Sequence, residues 1–263
     1  MQAAPPPAPP AARGRPGLDA FLVYPGRGAR AAAMGILAVL VAIYLDALGL
    51  STARIGLVLA ASLVGGVVLS IVVMVAGTAI SRRAWFVSLA LLIGVAGIVL
   101  VVTDNVFLLA AGSFFGAYAA SGMHVGPVLQ LEQASLAEVA AGARRTRAFA
   151  NLSVFSAGGR AIGALLAGTA TLLIQEFDLD RVDAYRVTLA IYVGLNFVAA
   201  AAYAALSPAI EGRGQQQAPG LVNPLRTRSR SRILSLSGLF GLDSFAGGMV
   251  IDTFISYWLF TKF

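Results

Sequence analysis

The sequence contains no cysteine. Disulfides, thiolate metal sites and a cysteine nucleophile are therefore excluded. His124 is the only histidine, which argues against a histidine metal site and against a Ser-His-Asp triad. Lys262 is the single lysine among 19 basic residues, so there is no P-loop lysine. Charge itself is scarce: 12% of the 263 residues are charged, against 58% hydrophobic. A soluble domain carries about 25% charged residues, so this composition describes a polytopic α-helical membrane protein. The alternating segments of about ten residues that would build an outer-membrane barrel are also missing. No grouping for covalent or acid–base catalysis is visible. The expectation is a protein that is not an enzyme and uses no cofactor.

What is present is a series of apolar runs of helical length. Residues 1–28 form a Pro/Ala/Gly-rich stretch with the composition of a disordered cytoplasmic tail. Seven membrane helices are expected near 31–50, 55–78, 84–103, 105–127, 148–174, 184–206 and 233–260. The first six form a bundle over residues 29–206. A basic linker over 207–232, broken by Pro208, Pro219 and Pro224, leads to a seventh helix over 233–263 that opens a second bundle.

The connections sort by charge. Arg13, Arg15, Arg27, Arg30, Arg82, Arg83, Arg144, Arg145, Arg147, Arg213, Arg226, Arg228, Arg230 and Arg232 fall on one side, fourteen in all. Arg54, Arg181, Arg186 and Lys262 fall on the other, among Glu176, Asp178, Asp180 and Asp183. The excess of arginine places the N-terminus in the cytoplasm of a plasma (inner) membrane, here of a bacterium. The same sorting explains the net charge of +7 without nucleic acid. Arg226-Thr-Arg-Ser-Arg-Ser-Arg232 reads as a solvated anchor at anionic membrane lipids.

Six helices, a basic central linker and a seventh helix resemble the first half of a major facilitator superfamily transporter plus the start of its second half. Gly77-Thr-Ala-Ile-Ser81-Arg82-Arg83-Ala84 is similar, at Gly77 and Arg82, to that family's loop motif G-x-L-A-D-R-x-G-R-R. Ser81 stands where the motif has aspartate, and Ala84 where it has its second glycine. Helix four lacks the arginine of proton-coupled drug exporters, so drug/proton antiport is not supported. The resemblance implies a carrier for a small solute working by alternating access, with protons as a candidate coupling ion. It also implies that these residues alone, with six helices of one half and one of the other, do not transport.

Four ionisable residues lie in or near the apolar runs and are the candidates for a substrate or coupling role: Asp46, Arg160, Asp243 and Asp252. Arg160 falls near the middle of the run 149–174, where a guanidinium facing lipid would cost at least ~2.5–3.5 kcal/mol. Its expected place is the bundle interior, as a structural pair or in the pathway. Gly159 and Gly163, four apart, make the same helix suited to close packing. Asp46 sits late in helix one, within reach of Arg54. Asp243 and Asp252 are nine residues apart, about 13 Å in height and on opposite faces of a regular helix; a bend at Gly247-Gly248 is needed for both to face one cavity. His124 reads as a satisfied interface residue, and Glu132 and Glu138 as part of an amphipathic segment on the membrane surface. A non-transporting scaffold or partner subunit is the competing reading. A seven-helix receptor has the opposite orientation, and no mid-helix lysine is present for a retinal Schiff base.

Overall fold

The structure, a computed structural model, describes residues 16–76, 79–116, 128–129, 131–133, 143–206, 230–248 and 252–262. The elements are all helices: α1 Pro16–Ala47, α2 Thr52–Ala76, α3 Arg82–Val102, α4 Val106–Gly116, α5 Ala143–Ala167, α6 Thr169–Phe177, α7 Arg181–Ala204, α8 Arg230–Gly248 and α9 Asp252–Lys262. Residues 128–129 and 131–133 are helical too. Among the described residues five stretches are long and apolar enough to cross a bilayer: Val23–Ala47, Thr52–Ala76, Arg82–Val102, Thr146–Phe177 and Arg181–Ala204. Thr146–Phe177 joins α5 and α6 through a single turn at Gly168, where the Gly168 amide bonds the Leu165 carbonyl at 3.0 Å. α4 and the Leu234–Asp243 part of α8 are shorter apolar helices. The chain is an all-α polytopic membrane bundle.

Local chemistry explains where the helices stop and start. α1 ends in a Schellman motif: the Leu50 amide reaches the Leu45 carbonyl at 3.2 Å and the Gly49 amide reaches Asp46 at 2.8 Å. Gly49 supplies the left-handed residue this closure requires, with φ +76°. Ser81 caps α3 by accepting the Ala84 amide at 3.1 Å. Asp180 does the same for α7 through the Val182 amide at 3.0 Å.

α1 is the hub. Of its most apolar window 78% is buried, against 22% for the α5–α6 span. It packs on α5, α7, α9 and α2, while α3 packs on α7 and α4, and α2 on α4. One core cluster joins Leu37, Tyr44, Val58, Leu100, Leu109 and Leu189. A second joins Phe86, Leu89, Leu152, Tyr203 and Leu206. Outward faces such as Val67, Ile71 and Met74 of α2 and Leu165 of α5 remain exposed, as expected where the solvent is hydrocarbon.

α1 differs from its expected course. It begins at Pro16 and continues through Pro25, so residues 16–28 are helical where a tail is expected from composition. Proline at the first helical position is favourable because its missing amide would have no partner there. Gly77, His124, Glu138, residues 1–15 and linker residues 207–229 lie outside the described residues, as does the side chain of Asp252.

Candidate functional site

Arg27 and Arg30 lie three residues apart on α1, hence on one face. They are 2% and 5% exposed, and the carboxylate that meets them, Glu132, is 0% exposed. Arg27 Nη1 approaches Glu132 Oε2 at 3.2 Å, and Arg30 Nη1 approaches Oε1 at 3.4 Å. The Arg27 contact is electrostatic, its geometry off the line of a hydrogen bond. The Tyr203 hydroxyl of α7 donates to Oε1 at 2.5 Å. Arg27 Nη2 donates to Ser156 Oγ of α5 at 2.8 Å. One carboxylate thus fastens α1 and α7 to the 131–133 helical segment, and Arg27 extends the tie to α5.

The depth of this layer follows from the packing of α1 on α5. A Cβ added at Gly159 would lie 2.5 Å from the Gly28 carbonyl oxygen, and one at Gly163 would lie 1.9 Å from that of Ala32. One at Gly35 would meet the Arg160 carbonyl oxygen at 2.3 Å. The paired positions advance together, Arg27 with Ser156, Gly28 with Gly159 and Ala32 with Gly163, so the two helices run parallel. Glycine alone fits, because backbone rather than side chain occupies the space. Arg160 therefore stands beside the stretch of α1 from Gly28 to Gly35. It is half-buried and close enough for its charge to act on Arg27.

A second polar group closes the opposite end. Arg186 of α7 pairs with Asp104 at 2.6 Å and with Asp183 at 3.7 Å. Its Nε donates to the Tyr44 hydroxyl at 3.4 Å, and Tyr44 donates to the Leu100 carbonyl at 3.0 Å. Nearby, the Tyr257 hydroxyl of α9 donates to Asp46 Oδ1 at 3.2 Å.

The four ionisable candidates are not gathered in one place. Arg160 lies in the arginine layer. Asp46 is exposed at the far end of α1, 16 residues beyond Arg30, or about 24 Å along the axis. Asp243 is exposed on α8, and Asp252 is the first residue of α9, which begins four residues after α8 ends at Gly248. In the loop-motif remnant, Ser81 serves as the α3 cap, Arg82 is half-buried, and Arg83 donates from Nη2 to the Ala204 carbonyl at the end of α7. Arginine there satisfies a carbonyl that the helix end leaves open.

Arg27, Arg30 and Glu132 correct the sequence reading. The two arginines, expected at a membrane edge, and the glutamate, expected on the membrane surface, are among the most buried residues of the chain. Burial is tolerable because Glu132 offsets one of the two positive charges and contacts both arginines. A signal was available: Arg27 and Arg30 share a helix face, and Glu132 follows the apolar Val128-Leu129 and Leu131. Their pairing across 102 residues was not. Among the described residues no group of His, Asp and Glu is placed to hold a metal ion.

The sequence profile of the Major Facilitator Superfamily matches residues 23–262. The chain is also 25% identical, over 177 residues, to an uncharacterized membrane protein of Saccharomyces cerevisiae, YJR124C. That alignment covers 66% of this chain and 40% of the yeast protein, so the chain spans well under half of the relative's length. With nearly every described residue inside the match, the chain belongs to the Major Facilitator Superfamily, a family of membrane transporters.

Proposed function

We propose that the chain forms the first six-helix bundle, with one helix of a second, of a secondary carrier that moves a small solute by alternating access. The observation that carries the reading is the uneven docking of the seventh helix. α9 packs on α1 and ties Tyr257 to Asp46 at 3.2 Å. The described side chains of α8 are all exposed. Helix seven is thus held to helix one through α9 and not through the described side chains of α8, an asymmetry of the kind a rocking carrier uses. The solute path then lies between this bundle and a second one, and residues 1–263 alone do not complete it.

Flux of labelled solutes into vesicles, with and without a proton gradient, tests this. Transport is expected from a chain extended to the family's full length and not from residues 1–263 by themselves. Flux from the short chain that Arg160→Leu abolishes would overturn the division between two bundles.

The orientation proposed for this carrier puts the N-terminus and the arginine layer on the cytoplasmic side of a bacterial inner membrane. It is supported by the charge asymmetry of the connections. Reporter fusions after Arg83 and Arg147 are expected to read cytoplasm, and a fusion after Asp180 the opposite side. A cytoplasmic signal at Asp180 would reverse the assignment of the α6–α7 turn.

A further inference from the structure

We infer that ordered water is bound inside the first bundle, between Arg30 of α1 and Tyr192 and Asn196 of α7. The sequence prepares the place. Thr188, Tyr192, Asn196 and Tyr203 follow one another at intervals of four, four and seven residues on α7, so they share one helix face. That face is turned inward, and all four residues are fully buried. Register brings Arg30 to the same face. Gly26 lies against Tyr203, where an added Cβ would stand 2.9 Å from the ring, and Arg186 reaches the Tyr44 hydroxyl at 3.4 Å. α1 and α7 therefore run antiparallel. Arg30 comes opposite Ala199 and Ala200, about one turn from Asn196 and two from Tyr192, or roughly 5 and 11 Å along the axis. The arginine and Tyr192 are close enough to interact electrostatically.

Each of the three residues brings a polar atom that the fold leaves over. Asn196 donates through Nδ2 to the Tyr192 carbonyl at 2.9 Å. A carbonyl only accepts, so this bond fixes the amide and turns Oδ1 the other way. Among the described residues Asn196 Oδ1 has no donor, and neither the Tyr192 hydroxyl nor Arg30 Nε has a hydrogen-bond partner; all three atoms are buried. Tyr192 is not free to swing elsewhere, because its ring packs on Gly97 of α3, where an added Cβ would lie 2.7 Å from Cε1. On either side the same face is satisfied. Thr188 bonds the Ala184 carbonyl at 3.0 Å and Thr169 at 3.2 Å, and Tyr203 bonds Glu132. Buried hydroxyls and amides are seldom left unpaired, and an internal water with two to four polar partners is their common complement. The mix of atoms selects the ligand. Arg30 Nε only donates, Asn196 Oδ1 only accepts, and the Tyr192 hydroxyl does either. A cation would be repelled by the guanidinium, and an anion would face the amide oxygen. Water both gives and accepts, and suits all three.

X-ray radiolytic labelling of the purified chain in nanodiscs, read by mass spectrometry, tests this. Radiolysis of a bound water makes hydroxyl radical beside it, so oxygen is added even to a side chain closed to bulk solvent. The control is Phe86, a fully buried aromatic ring stacked on Tyr203. Tyr192 is expected to be labelled several-fold faster than Phe86. Asn196→Leu, which keeps the bulk and removes the acceptor, is expected to bring Tyr192 down to the rate of Phe86. Tyr192→Phe is expected to lower Tm by a few degrees, because the water loses a partner; it decides the matter should the leucine variant not accumulate. Labelling of Tyr192 no faster than of Phe86 overturns the proposal. So does a label that persists undiminished in Asn196→Leu. An unchanged or raised Tm in Tyr192→Phe, the result for a hydroxyl with nothing to bond, overturns it too. No readout involves transport, so failure of the water site and failure of the carrier reading are separate results.

Discussion

Glu132→Leu is expected to destabilise the chain by about 3–5 kcal/mol, the usual loss when one partner of a buried ion pair is removed. The leucine fills the space but leaves Arg27 and Arg30, both nearly inaccessible, with no counter-charge at 3.2–3.4 Å. Melting of the purified protein in detergent, together with the fraction recovered as a monodisperse species, measures the loss. Tyr203→Phe removes one donor to the same carboxylate and is expected to lose about 1 kcal/mol. Replacing all three charges at once, with Met at 27 and 30 and Leu at 132, is expected to recover much of the deficit, since the stranded charges go with it. Unchanged melting of Glu132→Leu would show that this carboxylate does not fasten the bundle.

Gly163→Val is expected to be more disruptive than any polar change on α5. The first carbon added would sit 1.9 Å from the Ala32 carbonyl oxygen and 2.9 Å from its Cα. These are backbone atoms of a second helix, and neither can swing aside. Overpacking of a core ordinarily loses about 1–3 kcal/mol, and here relief requires α1 and α5 to part. That separation also breaks the 2.8 Å bond from Arg27 to Ser156. The expected result is failure to accumulate as folded protein, read by size-exclusion profile and protease resistance. Gly158→Ala, five residues earlier and facing open space, is the control. It is expected to be neutral or slightly stabilising, because alanine loses less backbone entropy in a helix. Wild-type behaviour of Gly163→Val would mean the two helices are further apart than described.

How much of this was legible in the sequence depends on the range of the interaction. The spans are readable because about 20 consecutive apolar residues answer to bilayer thickness alone. Close packing at Gly159 and Gly163 was legible because small residues four apart leave one helix face bare. The partner face on α1, with Gly28, Ala32 and Gly35, could not be assigned without the fold. Arg27 and Arg30 were misplaced because the sign of a charge beside an apolar run is the same for a cytoplasmic anchor and for a buried pair. What separates the two is Glu132, 102 residues away, and no local pattern encodes that meeting. Arg160 falls near the midpoint of its own run, Thr146–Phe177. The part of α1 it stands beside is set by the register of the two helices, a property of both together.

The hub position of α1 has a consequence for how the chain is made. In N-to-C synthesis this helix emerges before α2 to α9, and Arg27 and Arg30 emerge with it. The glutamate that pairs with them follows 102 residues after Arg30, and the tyrosine that completes the group another 71 residues later. At ~5–20 residues per second, translation needs roughly 5–20 s to deliver Glu132 alone. During that interval a helix bearing two charges, each disfavoured in hydrocarbon by roughly 2.5–3.5 kcal/mol at the bilayer centre, is without this carboxylate. A helix made before its partners is therefore settled after them, and until α5 and α7 arrive the arginine end of α1 must stay beside water, headgroups or the insertion machinery.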